Sequence, residues 1–179
     1  MSLISNQIEM IHNDFLLSKT LVYDKCKWIC SVPIIEKESA EYGACSFKIN
    51  ELSIKFRVSK TTPTKIGQFV TVWKRSINGP IQPFDISDDL DFIIISSRND
   101  RFFGQFIFPK SILVEKGIIS GNNKEGKRGF RVYPPWDKAI NKQAQNTQKW
   151  QMSYFLEIQN DQAFLVRAKE LLKIKAFLV

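Results

Sequence analysis

The segment DFIIIS at residues 91–96, followed after a short RNDR turn by FFGQFIFP, constrains the fold more than any other part of the chain. A strand covered on one side alternates apolar and polar residues. Here Phe92, Ile93, Ile94 and Ile95 are consecutive, so both faces of the strand are apolar. Such a run reads as a central strand buried above and below, with residues 102–108 as its antiparallel neighbour. A fold built on it must supply a layer on each side.

The rest of the chain offers those layers. Residues 5–19 place Ile8, Ile11, Phe15 and Leu16 at mixed three and four spacing, the pattern of an amphipathic helix, and a turn or second helix follows at 24–30. From Cys45 the period becomes two. Residues 46–49 pair with ELSIKFRVSK through a turn at Asn50 and Glu51. Leu52, Ile54, Phe56 and Val58 share one face, and Ser53, Lys55, Arg57 and Ser59 the other, so Arg57 and Ser59 are expected to face away from the core.

Thr62 and Pro63 then read as an N-cap and first helical position, with Ile66, Phe69, Val70 and Trp73 on one apolar helical face. A short helix is expected at 109–116. After the loop and short strand of GNNKEGKRGFRVYPPW comes a long helix capped by Asp137, with Ile140, Ala144, Thr147, Gln151, Tyr154 and Ile158 on one side. A last helix follows Asn160. With no repeat or linker, the expectation is a single compact α/β domain over residues 1–179, a central mixed β-sheet flanked by helices.

The 179 residues carry a formal net charge of +8 and a sequence pI near 9.4, which favours a polyanionic partner. The charge is patterned. Residues 51–82 hold six Lys or Arg against the single Glu51, and residues 110–150 hold nine against Glu115, Glu125 and Asp137. Between them lie Asp85, Asp88, Asp89 and Asp91. Aromatic residues interleave with the second cluster at Tyr133, Trp136 and Trp150, and rings can stack on bases while cations neutralise phosphates. At the expected helix start, the free amides beside Lys60 and Lys65 suit a phosphate.

Other classes lack their signatures. No stretch reaches the ~20 apolar residues of a membrane-spanning helix, and the first residues do not read as a secretory signal, so a cytoplasmic location is expected. Cys26, Cys30 and Cys45 are odd in number and fit free thiols; His12 is the one histidine, and CKWIC reads as ordinary thiols rather than zinc ligands. There is no phosphate loop of the glycine-lysine-serine type and no Gly-x-Ser-x-Gly turn. No cofactor is implied.

The strings FRVSKTTPTKIGQFVTVWKR, GPIQPFDISDDLDFIIIS, FGQFIFPKSILVEKGIIS, GKRGFRVYPPW and QAQNTQKWQMSYF, in that order over residues 38–155, resemble the bacterial MepB family. The resemblance implies a compact α/β domain with a restriction-endonuclease-like fold, and nucleic-acid binding as its activity. Enzymes of that fold need paired carboxylates and an acidic-x-Lys triplet to hold a metal and assist water. Here the triplets are Val58-Ser59-Lys60 and Phe108-Pro109-Lys110, with no carboxylate. The expectation is therefore a nonenzymatic nucleic-acid binder, DNA favoured over RNA. Its contacts are Arg57, Lys60, Thr62, Lys65, Gln68 and Arg75 in one group, and Lys127, Arg128, Arg131, Lys142 and Lys149 in another. Two alternatives stay open: a metal-dependent nuclease or phosphodiesterase using Glu41 and Asp91, and a binder of a small anion such as a nucleotide.

Overall fold

The computed structural model describes residues 11–76, 79–159 and 163–173. Its centre is a six-stranded mixed sheet. The strands are β1 (Ile34–Ile35), β2 (Cys45–Ile49), β3 (Leu52–Val58), β8 (Phe92–Arg98), β9 (Phe103–Pro109) and β11 (Phe155–Glu157), adjacent in that order. The β3–β8 pair is parallel and every other pair in this sheet antiparallel. The apolar run is the middle of it. Ile93, Ile94 and Ile95 are fully buried, and each such side chain contributes about 1.5–3 kcal/mol by leaving water.

Two cores follow from the two faces of β8. Phe92 and Ile94 join Phe47, Ile54, Phe56 and Ile107 on one side. That side is closed by helix α1 (Asn13–Ser18), the π-helical turn Lys19–Tyr23, and helix α4 (Phe164–Lys173), which contributes Phe164, Ala168 and Leu171. Ile93 and Ile95 join Phe106 and Phe108 on the other side. There a smaller sheet of β4 (Lys60–Thr62), β5 (Lys65–Thr71) and β10 (Gly129–Val132) packs with α2 (Lys110–Glu115) and α3 (Lys142–Met152). Strands β6 (Trp73–Arg75) and β7 (Ile81–Pro83) form a separate pair.

The expected architecture is therefore present, as are the hairpin through Asn50 and Glu51, the β8–β9 pair and the helix after Pro109. The first helix is described only from Asn13, and its expected start at 5–10 lies outside the described residues. The 24–30 segment is a turn at residues 24–27 rather than a helix.

Three expectations are overturned. No helix begins at Pro63. Residues 60–71 are the β4–β5 hairpin, turning at Pro63 and Thr64, and β5 pairs with β10 from Gln68 to Thr71. The β-branched residues Thr61, Thr62, Thr64, Ile66, Val70 and Thr71 favour a strand, and Gly67 would cost a helix interior about 1 kcal/mol. Phe69 and Trp73 are accordingly half-buried strand residues rather than the core of a helix.

Arg57 and Ser59 do not face solvent, because the second layer covers that face of β3. Arg57 is 1 % exposed, and its guanidinium donates to Glu36 Oε2 at 2.6 Å and to the Phe56 carbonyl at 2.8 Å. The long helix starts at Asn141 rather than Asp137. Asn141 Oδ1 accepts from Ala144 N at 2.8 Å, while Asp137 N donates back to the Pro134 carbonyl. That helix ends at Met152, so Tyr154 and Ile158 are not part of it. Phe155 and Leu156 are recruited as a strand by the edge of β9.

Candidate anion-binding groove

The hairpin that replaces the expected helix builds one wall of a groove. β10 and the loop before it form the floor, and α3 forms the opposite wall. The cavity encloses about 560 Å³. Lys65 from the start of β5, Lys116 from the end of α2, Lys127 from the loop and Arg131 from β10 all line it, and no carboxylate does among the described residues.

Three of the four cations are positioned by ordinary local chemistry. Arg131 donates from Nη1 to the Gly67 carbonyl and from Nη2 to Thr62 Oγ1, both at 2.8 Å, and its guanidinium lies 5.9 Å from the Phe69 ring centroid. Lys127 is set by its amide, which donates to the Ile118 carbonyl at 2.9 Å. Gly126 permits that approach: a Cβ there would stand 2.6 Å from the same carbonyl oxygen. Lys116 lies 5.8 Å from the Trp150 ring and 2.8 Å from Glu115 Oε1. Lys65 and Lys127 are exposed, and their ammonium groups have no ion-pair partner among the described residues.

The wall formed by α3 adds polarity of the same sign. Asn141 caps the helix at Ala144, and the amides of Lys142 and Gln143 have no intrahelical acceptor at this end. The helix dipole and free amides favour an anion there. Gln151 braces the groove from behind, its Oε1 accepting from Tyr133 N and its Nε2 donating to the Arg131 carbonyl. A second compartment of about 310 Å³ adjoins the first and shares Lys65, Arg131, Tyr133, Asn141 and Ala144 with it.

Of the residues singled out from the sequence, Lys65, Lys127 and Arg131 meet in this groove, and Thr62 meets them through Arg131. Lys142 and Lys149 are exposed on α3 outside the lining. The others have different positions. Arg57 is buried against Glu36, and Gln68 is buried between Ser59 Oγ and the Arg98 carbonyl. Lys60 pairs with Glu41 at 3.3 Å and lies over Tyr42. Arg75 pairs with Glu38 at 2.9 Å, and Arg128 with Glu125 at 3.1 Å.

Tyr133 and Trp150 line the groove, whereas Trp136 stacks on Phe102 with ring centroids 5.5 Å apart. Lys116, Asn141, Gln143 and Thr147 also line it and were not singled out from the sequence. Only Asn141 carried a local signal, as an N-cap residue before KQAQ.

The carboxylates of the nuclease alternative do not converge. Asp91 Oδ2 accepts from Ser53 N at the start of β3, and Glu41 reaches Lys60 beyond its other end. At ~3.3 Å per residue these points are about 20 Å apart. Among the described residues, no group of three His, Cys, Asp or Glu could hold a metal ion. Cys26, Cys30 and Cys45 are free thiols, and no described helix is long and apolar enough to cross a membrane.

A mixed sheet with helices on both sides, carrying a carboxylate-free basic groove, places the chain in an α/β class. Residues 36–157 match the MepB-like family model, and the chain belongs to that family. A crystal structure of MepB is 35 % identical, covers 84 % of this chain and 100 % of its own, and superposes with a TM-score of 0.73. A bacterial homing endonuclease, I-Ssp6803I, is 12 % identical, with coverages of 88 % and 89 % and a TM-score of 0.45. No curated protein matches the chain.

Proposed function

We propose that this protein binds nucleic acid, DNA in the first instance, through the groove between β5, β10 and α3, and performs no chemistry on it. The observation that carries the reading is the convergence of Lys65, Lys116, Lys127 and Arg131 on one cavity whose lining includes no carboxylate, Glu115 pairing with Lys116 from outside the lining. Cations in such an arrangement neutralise phosphates and release counterions, which makes binding salt-dependent and largely indifferent to sequence. Lys142 and Lys149 on α3 extend the positive surface beyond the groove. The separation of Glu41 and Asp91 favours binding over metal-dependent hydrolysis. A cytoplasmic location is consistent with such a partner.

A small anion such as a nucleotide is the second reading, favoured by the groove's volume of about 560 Å³, which falls in the ~300–1,000 Å³ range of small-molecule sites. Titrating a labelled oligonucleotide by fluorescence anisotropy at several salt concentrations tests the first reading, and competition by free nucleotide tests the second. Salt-dependent oligonucleotide binding that millimolar nucleotide does not displace supports the polymer. Displacement at micromolar nucleotide supports the small ligand, and absence of any binding overturns both.

A further inference from the structure

The two compartments of the groove differ in chemistry. The larger holds the four cations. The smaller, of about 310 Å³, is bounded by Ile66 and Ile140, which are 38 % and 72 % exposed, with Thr64, Asn141 and Tyr133 beside them. Isoleucines at that exposure make an open apolar surface next to a dense positive one. The compartments share Lys65, Arg131 and Tyr133 as a common border. A ligand spanning both would carry an anion at one end and a flat or apolar group at the other.

Polar groups in the smaller compartment narrow the choice. Asn141 uses its Oδ1 to cap Ala144, which leaves its amide Nδ2 donor uncommitted among the described residues. The Thr64 hydroxyl is similarly placed and exposed. Donors beside an apolar surface suit a nucleobase, which has a π-face and a hydrogen-bonding edge, better than an acyl chain, which has no polar edge. In a duplex both features are occupied by stacking and pairing. An unpaired strand presents them freely.

We infer that the compartment of Ile66, Ile140 and Tyr133 receives the base of a single-stranded nucleotide whose phosphate lies among Lys65, Lys127 and Arg131. The inference rests on the nucleic-acid reading above and specifies single strands as the preferred form. The ring of Tyr133 lies directly against Gly67 at the border between the compartments: a Cβ on Gly67 would approach Tyr133 Cε1 to 2.6 Å. Phosphate contacts supply affinity, and the base compartment supplies the preference for an unpaired strand.

The test compares a short oligodeoxythymidine strand, an abasic strand of equal length and the corresponding duplex, each against the wild-type protein and an Ile66→Ser/Ile140→Ser double variant. Base stacking or insertion should make the wild type bind the thymidine strand about tenfold tighter than the abasic one. The double variant, altered only at exposed positions, should lose that preference while keeping its affinity for the abasic strand. Equal wild-type affinity for the two strands overturns the base compartment and leaves the phosphate groove standing. A preference that survives in the double variant, or tighter binding of the duplex, overturns it as well. Failure to bind any of the three removes the nucleic-acid reading itself.

Discussion

Arg131 on β10 reaches across β5 and donates from Nη2 to Thr62 Oγ1 on β4 at 2.8 Å. With its second bond to the Gly67 carbonyl, one side chain ties together all three strands of the small sheet and stays at the border of both compartments. Its charge is thus held in place before any ligand arrives.

Thr62→Val removes the acceptor and keeps the shape. Stability should fall by about 0.5–1.5 kcal/mol, the net worth of a hydrogen bond, measured by urea denaturation. Oligonucleotide affinity should fall severalfold as the guanidinium loses its orientation. An unchanged affinity in the folded variant would show that the Gly67 bond alone positions Arg131.

Lys65 and Lys127 provide the direct test of the groove. Replacing both with alanine should flatten the slope of log affinity against log salt by about 0.7 per lost phosphate contact on a single strand, or about 0.9 on duplex DNA. Lys60→Ala/Arg75→Ala, which removes cations already paired with Glu41 and Glu38, should leave the slope unchanged. Equal slopes for the wild type and both variants would mean the groove does not bind phosphate.

Gly67 has φ +81°, a left-handed conformation, beneath the Tyr133 ring. Gly67→Ala combines that backbone strain with a steric conflict, and should destabilise by about 1–3 kcal/mol. Calorimetry reads the loss as a lower Tm. A Tm equal to that of the wild type would show that the hairpin relaxes around the added methyl.

Glu36 holds Arg57 at 2.6 Å and Lys55 at 2.6 Å. Because Arg57 is 1 % exposed, Glu36→Ala strands a buried charge and should cost about 3–5 kcal/mol, whereas Arg57→Met, which removes the charge itself, should cost less. Chemical denaturation of the two variants checks the order. The reverse order would mean water reaches the guanidinium when its partner is gone.

Burial pushes the Cys45 thiol up to about 12 from the usual 9.0, with Arg57 as the largest opposing influence. The folded state therefore keeps its proton where the unfolded state has lost it. This contribution to stability is complete below pH ~9 and is lost as pH rises from there toward 12. Burial pushes the Tyr23 hydroxyl up as well, so it acts in the same alkaline direction. Cys45→Ala should flatten the decline in denaturation midpoint between pH 9 and 11; an identical decline would assign the effect to Tyr23 and other groups.

Much of the sheet was legible in the chain itself. Residues 92–95 announce a strand buried on both faces because four successive apolar side chains leave no solvent face, and the 45–58 hairpin follows from alternation around Asn50 and Glu51. The segment at 60–71 was not legible in that way. Thr62-Pro63 serves a hairpin turn as well as a helix start, and Ile66, Phe69, Val70 and Trp73 fit a helical spacing by coincidence. Pairing with β10, some sixty residues later in the chain, decides for the strand. Local pattern carries no record of so distant a partner.

Alternation likewise separated Arg57 from Phe56 without saying that a second layer would cover both faces. The groove belongs to the same category. The sequence alone determined that positive charge is concentrated in two clusters with acidic residues between them, because charge is a property of each residue. Which of those charges remain available was decided by tertiary structure. Packing placed Glu36, Glu38, Glu41 and Glu125 against Arg57, Arg75, Lys60 and Arg128, and left Lys65, Lys127 and Arg131 around one cavity, beside a Lys116 that is paired with Glu115.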